Sequence, residues 1–238
     1  MPVPQKPPLN GRNLAEFYLS SETVKRTTLI AYARPVEEQQ ARILMYDPIR
    51  RIVHEYFASG RSSAVLGRCA DTLARKQFDN PSFDEKWHKS NKSALAHLRN
   101  LSVPGTFCDT RVARLSIAAD KVTVFSTVDF YGRFVPSAAN SKERSVGVIV
   151  NPSGIKKRLP DQRKLWAQIE SEVAFRAADA HGIVIEEVIY IDLMRSELQR
   201  FKGPRKRLWA EIVATCERIY RDWRDIRLKR EGFGRETG

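Results

Sequence analysis

The sequence predicts a mixed α/β fold, with a central sheet of about four strands in αβββαβ order, flanking helices and an N-terminal helical extension. Three observations predict it. Apolar residues recur at helical spacing through most of the first hundred residues, whereas from Val112 onward they alternate as they do in strands. The continuous apolar segment 145–150 is typical of a strand at the centre of a sheet.

The expected organisation is one domain with two flexible ends. Four prolines among the first ten residues predict a flexible N-terminus over 1–12. A single domain over 13–230 would then consist of a helical portion, 13–100, and a sheet core with a C-terminal helix, 101–230. A Gly-containing tail over 231–238 is predicted to be flexible.

Helices are expected first. Ser20 or Ser21 can cap a helix that begins near Glu22, and a longer helical stretch opens at Pro35 and is split by Pro48.

Two more helices follow in the helical portion. Gly60 ends the preceding helix, and Ser62 or Ser63 starts the next. After a loop at Asn80-Pro81, Ser82 or Asp84 can cap another helix.

The pattern then becomes that of strands. Alternating apolar residues around a tight turn at Asp120 predict a β-hairpin over 112–128, and 132–144 is expected to be a polar connection before the strand at 145–150. Pro160 opens a helix that Gly182 closes.

The chain is expected to finish with a strand over 183–192 and a long basic helix over 204–228. A helix between the strands at 145–150 and 183–192 permits a crossover that makes these two strands parallel.

Charge is the strongest signal of a partner. Forty-one Lys and Arg residues against 28 Asp and Glu residues give a formal net charge of +13. Basic side chains neutralise phosphates and release counterions, which favours nucleic acid as the partner. A surface rich in arginine only for solubility would produce the same total.

Compartment and chemistry are bounded by what the chain contains. Its apolar runs are far shorter than a membrane span needs, and its three cysteines form no Cys-x-x-Cys pair. We therefore expect a cytoplasmic protein with reduced thiols that does not bind membranes.

Over residues 84–195 the element order resembles the core of the PD-(D/E)XK restriction-endonuclease-like superfamily. Asp129, which follows the apolar run of the second strand, matches the first acid of that family. The third strand departs from the family pattern, because Val148 to Asn151 offers neither the expected acid nor the expected Lys.

The resemblance implies a metal-dependent nuclease with a rearranged site. Asp129 would hold Mg²⁺, Glu170 or Glu172 on the crossover helix would supply a relocated acid, and Lys156 would orient water or phosphate.

The chain is also similar to the RecB-like branch, including uncharacterised bacterial members. In that branch an upstream helix carries a His, which His54 matches, and the crossover helix carries Gln-x-x-x-Tyr, which Gln162 and Trp166 match except that Trp replaces Tyr. His54 lies on an apolar helix face, where a single His is usually a core residue, and for Trp166 too a core position is favoured over a base-stacking role.

Several basic and polar residues are expected to contact phosphates. They fall in the loop after the third strand, at the start of the crossover helix and on the open face of the C-terminal helix: Lys156, Lys157, Arg158, Gln162, Lys206, Arg207, Arg221 and Arg224.

Two functions remain open. The first is a nucleic-acid-binding protein, with DNA favoured over RNA, that is active as a Mg²⁺-dependent nuclease if its rearranged site works. The second is a non-catalytic scaffold whose basic surface binds nucleic acid or an acidic protein.

Overall fold

The computed structural model describes residues 7, 9–32, 46–138, 141–152 and 159–230. Seven α-helices lie within these ranges: α1 (Gly11–Leu19), α2 (Glu22–Tyr32), α3 (Asp47–Ala58), α4 (Ser63–Arg75), α5 (Pro81–Asn100), α6 (Pro160–Ala180) and α7 (Lys206–Arg230). None of these described helices is long and apolar enough to cross a membrane.

The strands form two sheets. The strands are β1 (Leu9–Asn10), β2 (Gly105–Arg111), β3 (Ser116–Ala119), β4 (Val122–Phe125), β5 (Phe130–Pro136), β6 (Arg144–Asn151), β7 (Glu187–Asp192) and β8 (Glu197–Lys202). The larger sheet has the order β2-β5-β6-β7-β8, and the smaller sheet has the order β1-β4-β3.

The mixed α/β class is confirmed, and the strand order differs from the expected αβββαβ. The hairpin forms as β3 and β4, with Asp120 in a left-handed conformation (φ 54°) at its turn. It belongs to the smaller sheet, however, and interrupts the chain between β2 and β5. The expected crossover is present, because α6 joins β6 to its parallel neighbour β7.

Four strands were missed in the sequence, and one of them, β1, lies in the range expected to be flexible. The segment expected to be a connection, 132–144, contains most of β5, while β2 and β8 fall where no strand was expected. In β5, Phe130 and Phe134 belong to the core beneath the sheet, and Gly132 occupies the position between them on that face, so the apolar alternation is broken. Gly132 is required where β2 approaches, since a Cβ there would lie 2.8 Å from the Cys108 carbonyl oxygen.

The fold begins earlier than expected. Leu9 and Asn10 pair in parallel with β4, and the side chain of Asn10 caps α1 by accepting a hydrogen bond from the Asn13 amide, at 2.9 Å. Both elements start inside the range 1–12 that was expected to be flexible. Leu9 is fixed there because its side chain is buried in the core.

The later helix boundaries follow from identifiable caps. Gly60 ends α3 with φ +66°, and the side chain of Ser62 caps α4, both as expected. Asn80 caps α5, in place of Ser82 or Asp84, by accepting from the Phe83 amide at 3.0 Å. Asp84 instead accepts from the amide of Phe78. The helix expected from Pro35 lies outside the described residues as far as residue 45.

The larger sheet separates two hydrophobic cores. Residues of α3, α4 and α5 pack on one face, and residues of α1, α2, α6 and α7 pack on the other. Along β6, Val146, Val148 and Val150 face the first core, whereas Ile149 faces the second. This alternation decides which β6 side chains face α6.

The C-terminal helix docks by the expected stripe. Its buried residues, at steps of three or four, are Leu208, Ile212, Cys216, Ile219 and Trp223.

Candidate functional site

Asp129 is held at the carboxyl end of β6. Its amide donates to the Val148 carbonyl oxygen at 2.8 Å, and its carboxylate Oδ2 accepts from the Val150 amide at 2.7 Å. Because β5 begins one residue later, the Asp129 side chain continues the ladder between the two strands beyond the last backbone pair. One carboxylate oxygen therefore serves the sheet.

Burial raises the pKa of Asp129 from 3.8 to about 6. The positive charge of Arg50, the hydrogen bond from the Val150 amide and the charge of Arg12 act in the opposite direction, and the negative charge of Glu170 reinforces the rise. Asp129 is thus an acid with both like and opposite charges close to it.

Glu170 is the second acid of this region, and it is fully buried on α6. Its Oε1 accepts from Trp166 Nε1 at 2.9 Å and from Arg12 Nε at 3.4 Å, and its Oε2 accepts from Thr127 Oγ1 at 3.2 Å. Both carboxylate oxygens of Glu170 therefore already accept hydrogen bonds from the protein.

Two arginines reach this region from the first turns of two helices. Arg12 comes from α1, which approaches α6 so closely that a Cβ at Gly11 would lie 3.5 Å from the Glu170 Cα atom. Burial by itself lowers the pKa of Arg12, but the nearby Glu170, Tyr190 and Asp129 raise it overall. The positive charge of Arg12 lowers the pKa of Arg50, which comes from α3 and is exposed.

Two neutral side chains complete the arrangement from the sheet. Asn151 is the last residue of β6, and Tyr190 lies within β7 before Ile191 and Asp192; both are buried, and Asn151 Nδ2 donates to the Tyr190 hydroxyl at 3.0 Å. Burial, followed by the charge of Glu170, raises the pKa of Tyr190, so its hydroxyl stays protonated at neutral pH. We call these six residues the acid–arginine cluster: Arg12, Arg50, Asp129, Asn151, Glu170 and Tyr190.

The cluster lies where open α/β sheets commonly bind ligands, at the carboxyl ends of two parallel strands. By strand alternation, the β6 positions that face α6 are Ser145, Gly147, Ile149 and Asn151, none of which is an acid or a Lys. The departure of the third strand from the family pattern therefore persists in three dimensions. The ionisable side chains of the cluster are two carboxyl groups, two guanidinium groups and one phenol.

The two acids expected on the crossover helix have different surroundings. Glu170 joins Asp129, whereas the buried Glu172 accepts from Arg176 Nε at 2.9 Å and from the Arg205 amide at 2.7 Å. Glu172 therefore fixes the chain just before α7 and lies outside the cluster.

The two residues expected from the RecB-like pattern on α6 make local contacts. Gln162 Oε1 accepts from the Leu159 amide at 3.3 Å and so helps to cap the helix. Trp166 is a buried core residue and also positions Glu170 through its indole N–H.

His54 lies one turn along α3 from Arg50. Its Nε2 is 2.9 Å from Thr110 Oγ1, and its ring is tilted against Phe130, with 5.7 Å between ring centroids. It thus contacts the residue that follows Asp129 in the chain.

The expected phosphate-binding residues divide into two groups. Lys156, Lys157 and Arg158 lie outside the described residues. On α7, Lys206, Arg207, Arg221 and Arg224 are all exposed, with Arg207 3.3 Å from Glu211 and Arg224 3.7 Å from Asp225.

Four residues of the cluster were missed in the sequence as site residues: Arg12, Arg50, Asn151 and Tyr190. Arg12 fell in the range expected to be flexible, although Asn10 followed by a short apolar pattern could have indicated the start of α1. Nothing in the local sequence distinguishes Arg50 from its neighbour Arg51, which instead pairs with Asp47 at 2.7 Å.

A cavity of about 730 Å³ lies apart from the cluster, between α3, α4 and α5. Its lining includes Arg51, Arg75 and Phe78 but none of the six cluster residues.

No family model matches this sequence, and a search of curated proteins finds no significantly similar sequence.

Proposed function

We propose that this protein binds nucleic acid, and DNA in particular, by contacting backbone phosphates through a basic segment at the start of α7. The basic segment consists of Lys202, Arg205, Lys206 and Arg207, all exposed. No acidic residue occurs in the chain between Glu197 and Glu211. The preference for DNA follows from the family resemblance alone.

The observation that carries the proposal is the position of these cations at a helix N-terminus. The first turn of α7 holds no acid and begins with Lys206 and Arg207. Cations are favoured at the opposite end of a helix, by about 0.3–1 kcal/mol each, so this placement works against helix stability. A bound phosphate would interact favourably with both the cations and the helix dipole.

The segment is presented rather than buried. Glu172 accepts a hydrogen bond from the Arg205 amide, which fixes the backbone just before α7, while the basic side chains remain exposed to solvent. Arg207 has a side chain that is 95% exposed, and its contact with Glu211 joins two exposed groups. Exposed pairs of this kind contribute at most about 1 kcal/mol, which leaves Arg207 available to a phosphate.

The proposal places the protein in the cytoplasm, where nucleic acid is accessible to it. All three cysteines, Cys69, Cys108 and Cys216, are free thiols, which agrees with a reducing compartment.

The test compares two charge reversals of equal size on opposite faces of the larger sheet. One is Lys206→Glu with Arg207→Glu on α7, and the matched control is Lys86→Glu with Lys89→Glu, two exposed lysines on α5. Binding to a fluorescent DNA duplex is measured by anisotropy at several salt concentrations. We expect the α7 variant to bind about tenfold or more weaker, and its slope of log affinity against log salt to fall by about 2.

Equal losses in both variants would mean that overall charge, and not the basic segment, attracts the ligand. An unchanged affinity in the α7 variant would overturn the proposal. If the wild type bound polyglutamate but no nucleic acid, a scaffold that binds an acidic protein would replace the proposal.

A metal-dependent nuclease is the second candidate, favoured by one observation and opposed by the positive charges of Arg12 and Arg50 in the same cluster. Asp129 and Glu170, both named from the sequence, lie in one cluster at the end of β6. Cleavage of single- or double-stranded DNA or RNA in Mg²⁺ or Mn²⁺, lost in both Asp129→Asn and Glu170→Gln, would establish this candidate. Binding without cleavage would support the first.

A further inference from the structure

The two carboxylates of the acid–arginine cluster have positive partners inside the protein. We propose that Arg12 is the resident cation of this cluster: with Arg50 on the exposed side, it supplies the positive charge that a divalent metal ion would supply to Asp129 and Glu170. The proposal concerns how the cluster is charged and does not depend on nucleic-acid binding.

Arg12 forms an ion pair with Glu170. Arg12 Nε lies 3.4 Å from Glu170 Oε1, and Glu170 is completely buried while the Arg12 side chain is 22% exposed. Burying an unpaired carboxylate is strongly unfavourable, so a charge of opposite sign must accompany it. Arg12 provides that charge from α1.

Charge, more than hydrogen bonding, keeps the guanidinium group of Arg12 in place. Arg12 Nη2 is buried and has no hydrogen-bond partner among the described residues. A side chain held mainly by hydrogen bonds would use this N–H. A side chain held mainly by charge only has to lie near the carboxylates.

Mg²⁺ takes oxygen ligands in near-octahedral geometry. The two guanidinium groups would repel a divalent ion placed beside Asp129 and Glu170, and Arg12 Nε already donates to Glu170 Oε1. The residues present therefore do not fit Mg²⁺, and they fit a guanidinium.

A consequence follows for variants of Arg12. Truncating its side chain removes the counter-charge and leaves space beside two carboxylates, a phenol and an amide. Such a site offers the hard oxygen ligands that Mg²⁺ and Mn²⁺ prefer. We therefore expect Arg12→Ala to create divalent-cation binding that the wild type lacks.

The experiment uses the full chain and Mn²⁺ alone as the probe. Mn²⁺ binding is measured by electron paramagnetic resonance and thermal unfolding at pH 7.5 for the wild type, Arg12→Ala, Arg12→Lys and the double variant Arg12→Ala with Glu170→Gln. We expect Arg12→Ala to bind Mn²⁺ about tenfold or more tightly than the wild type and to regain thermal stability when the ion is added. Arg12→Lys, which keeps the charge, and the double variant, which lacks the acid, should both behave like the wild type.

Two results would overturn the proposal. One is Mn²⁺ binding by the wild type that Glu170→Gln abolishes, since the cluster would then be a metal site despite Arg12. The other is a folded Arg12→Ala variant that gains no Mn²⁺ affinity. If Arg12→Ala does not fold, Arg12→Gln replaces it, and the wild-type titration with Glu170→Gln as its control decides the first point independently.

Discussion

At the scale of single residues, the carboxyl group of Asp129 extends the hydrogen bonding of the larger sheet, although burial disfavours its charged form. Its Oδ2 accepts from the Val150 amide, as a backbone carbonyl would, yet burial raises its pKa to about 6. A pKa that is higher in the folded chain than in the unfolded chain means that the protonated form is the stabilising one.

Because the pKa of Asp129 is raised by folding, the free energy of unfolding is expected to fall as the pH rises. A rise from 3.8 to about 6 corresponds to about 3 kcal/mol of unfolding free energy, present below pH 4 and lost as the pH rises through 6. Asp129→Asn keeps an acceptor for Val150 but does not titrate. Urea unfolding of both proteins between pH 4 and 7.5 should therefore show that Asp129→Asn destabilises more at the acid end. Parallel stability curves would contradict this expectation.

Trp166 is the residue through which α6 orients its own acid. Trp166→Phe keeps an aromatic ring, although a smaller one, and removes the indole N–H that donates to Glu170 at 2.9 Å. Losing a hydrogen bond to a buried charged acceptor is expected to cost about 1.5–3 kcal/mol of unfolding free energy. Trp209→Phe is the control, because Trp209 is only partly buried and stacks with Arg176. Equal costs in the two variants, measured by urea unfolding, would mean that the bond to Glu170 contributes nothing specific.

At the scale of elements, the helices were better predicted than the strands, and the reason is visible in particular residues. The apolar stripe from Leu208 to Trp223 on α7 repeats over several helical turns, and the residues of the stripe are buried in the structure. By contrast, β2 pairs with β5 around an irregularity between Cys108 and Arg111, so no clean alternation runs through it. Strand pairing depends on partners distant in the chain, and local periodicity does not record it.

The N-terminal element is the sharpest difference between expectation and structure, and it yields a stability prediction. Leu9 is 1% exposed although it lies among prolines that suggested flexibility. Leu9→Ala is expected to lower the unfolding free energy by about 2–5 kcal/mol, as for other buried leucines. Val24→Ala on α2, where the side chain is 47% exposed, should change it by about 0.5 kcal/mol or less. Similar effects of the two substitutions in chemical denaturation would show that β1 does not belong to the folded core.

At the scale of the whole molecule, the candidate site depends on elements that are far apart in the chain. Asp129 and Glu170 could be named from the sequence because the family resemblance directs attention to the end of one strand and to the crossover helix, where Glu172 was the alternative to Glu170. The counter-charges could not, since Arg12 and Arg50 reach the cluster only through the packing of α1 on α6 and of α3 against the larger sheet. The acids of the cluster were therefore predictable, and its charge balance was not.

The net charge of +13 belongs to the whole molecule, and it leads to a prediction about whether binding depends on the sequence of the DNA. Phosphate contacts fix a protein on a duplex without reading its sequence, and each contact steepens the salt dependence of binding. We therefore expect two duplexes of equal length and unrelated sequence to bind with affinities within about twofold of each other, both falling steeply as salt rises. Anisotropy titrations at matched salt concentrations measure this. A large preference for one duplex that persists at high salt would show that base edges are read, and the basic segment would then be only part of the interface.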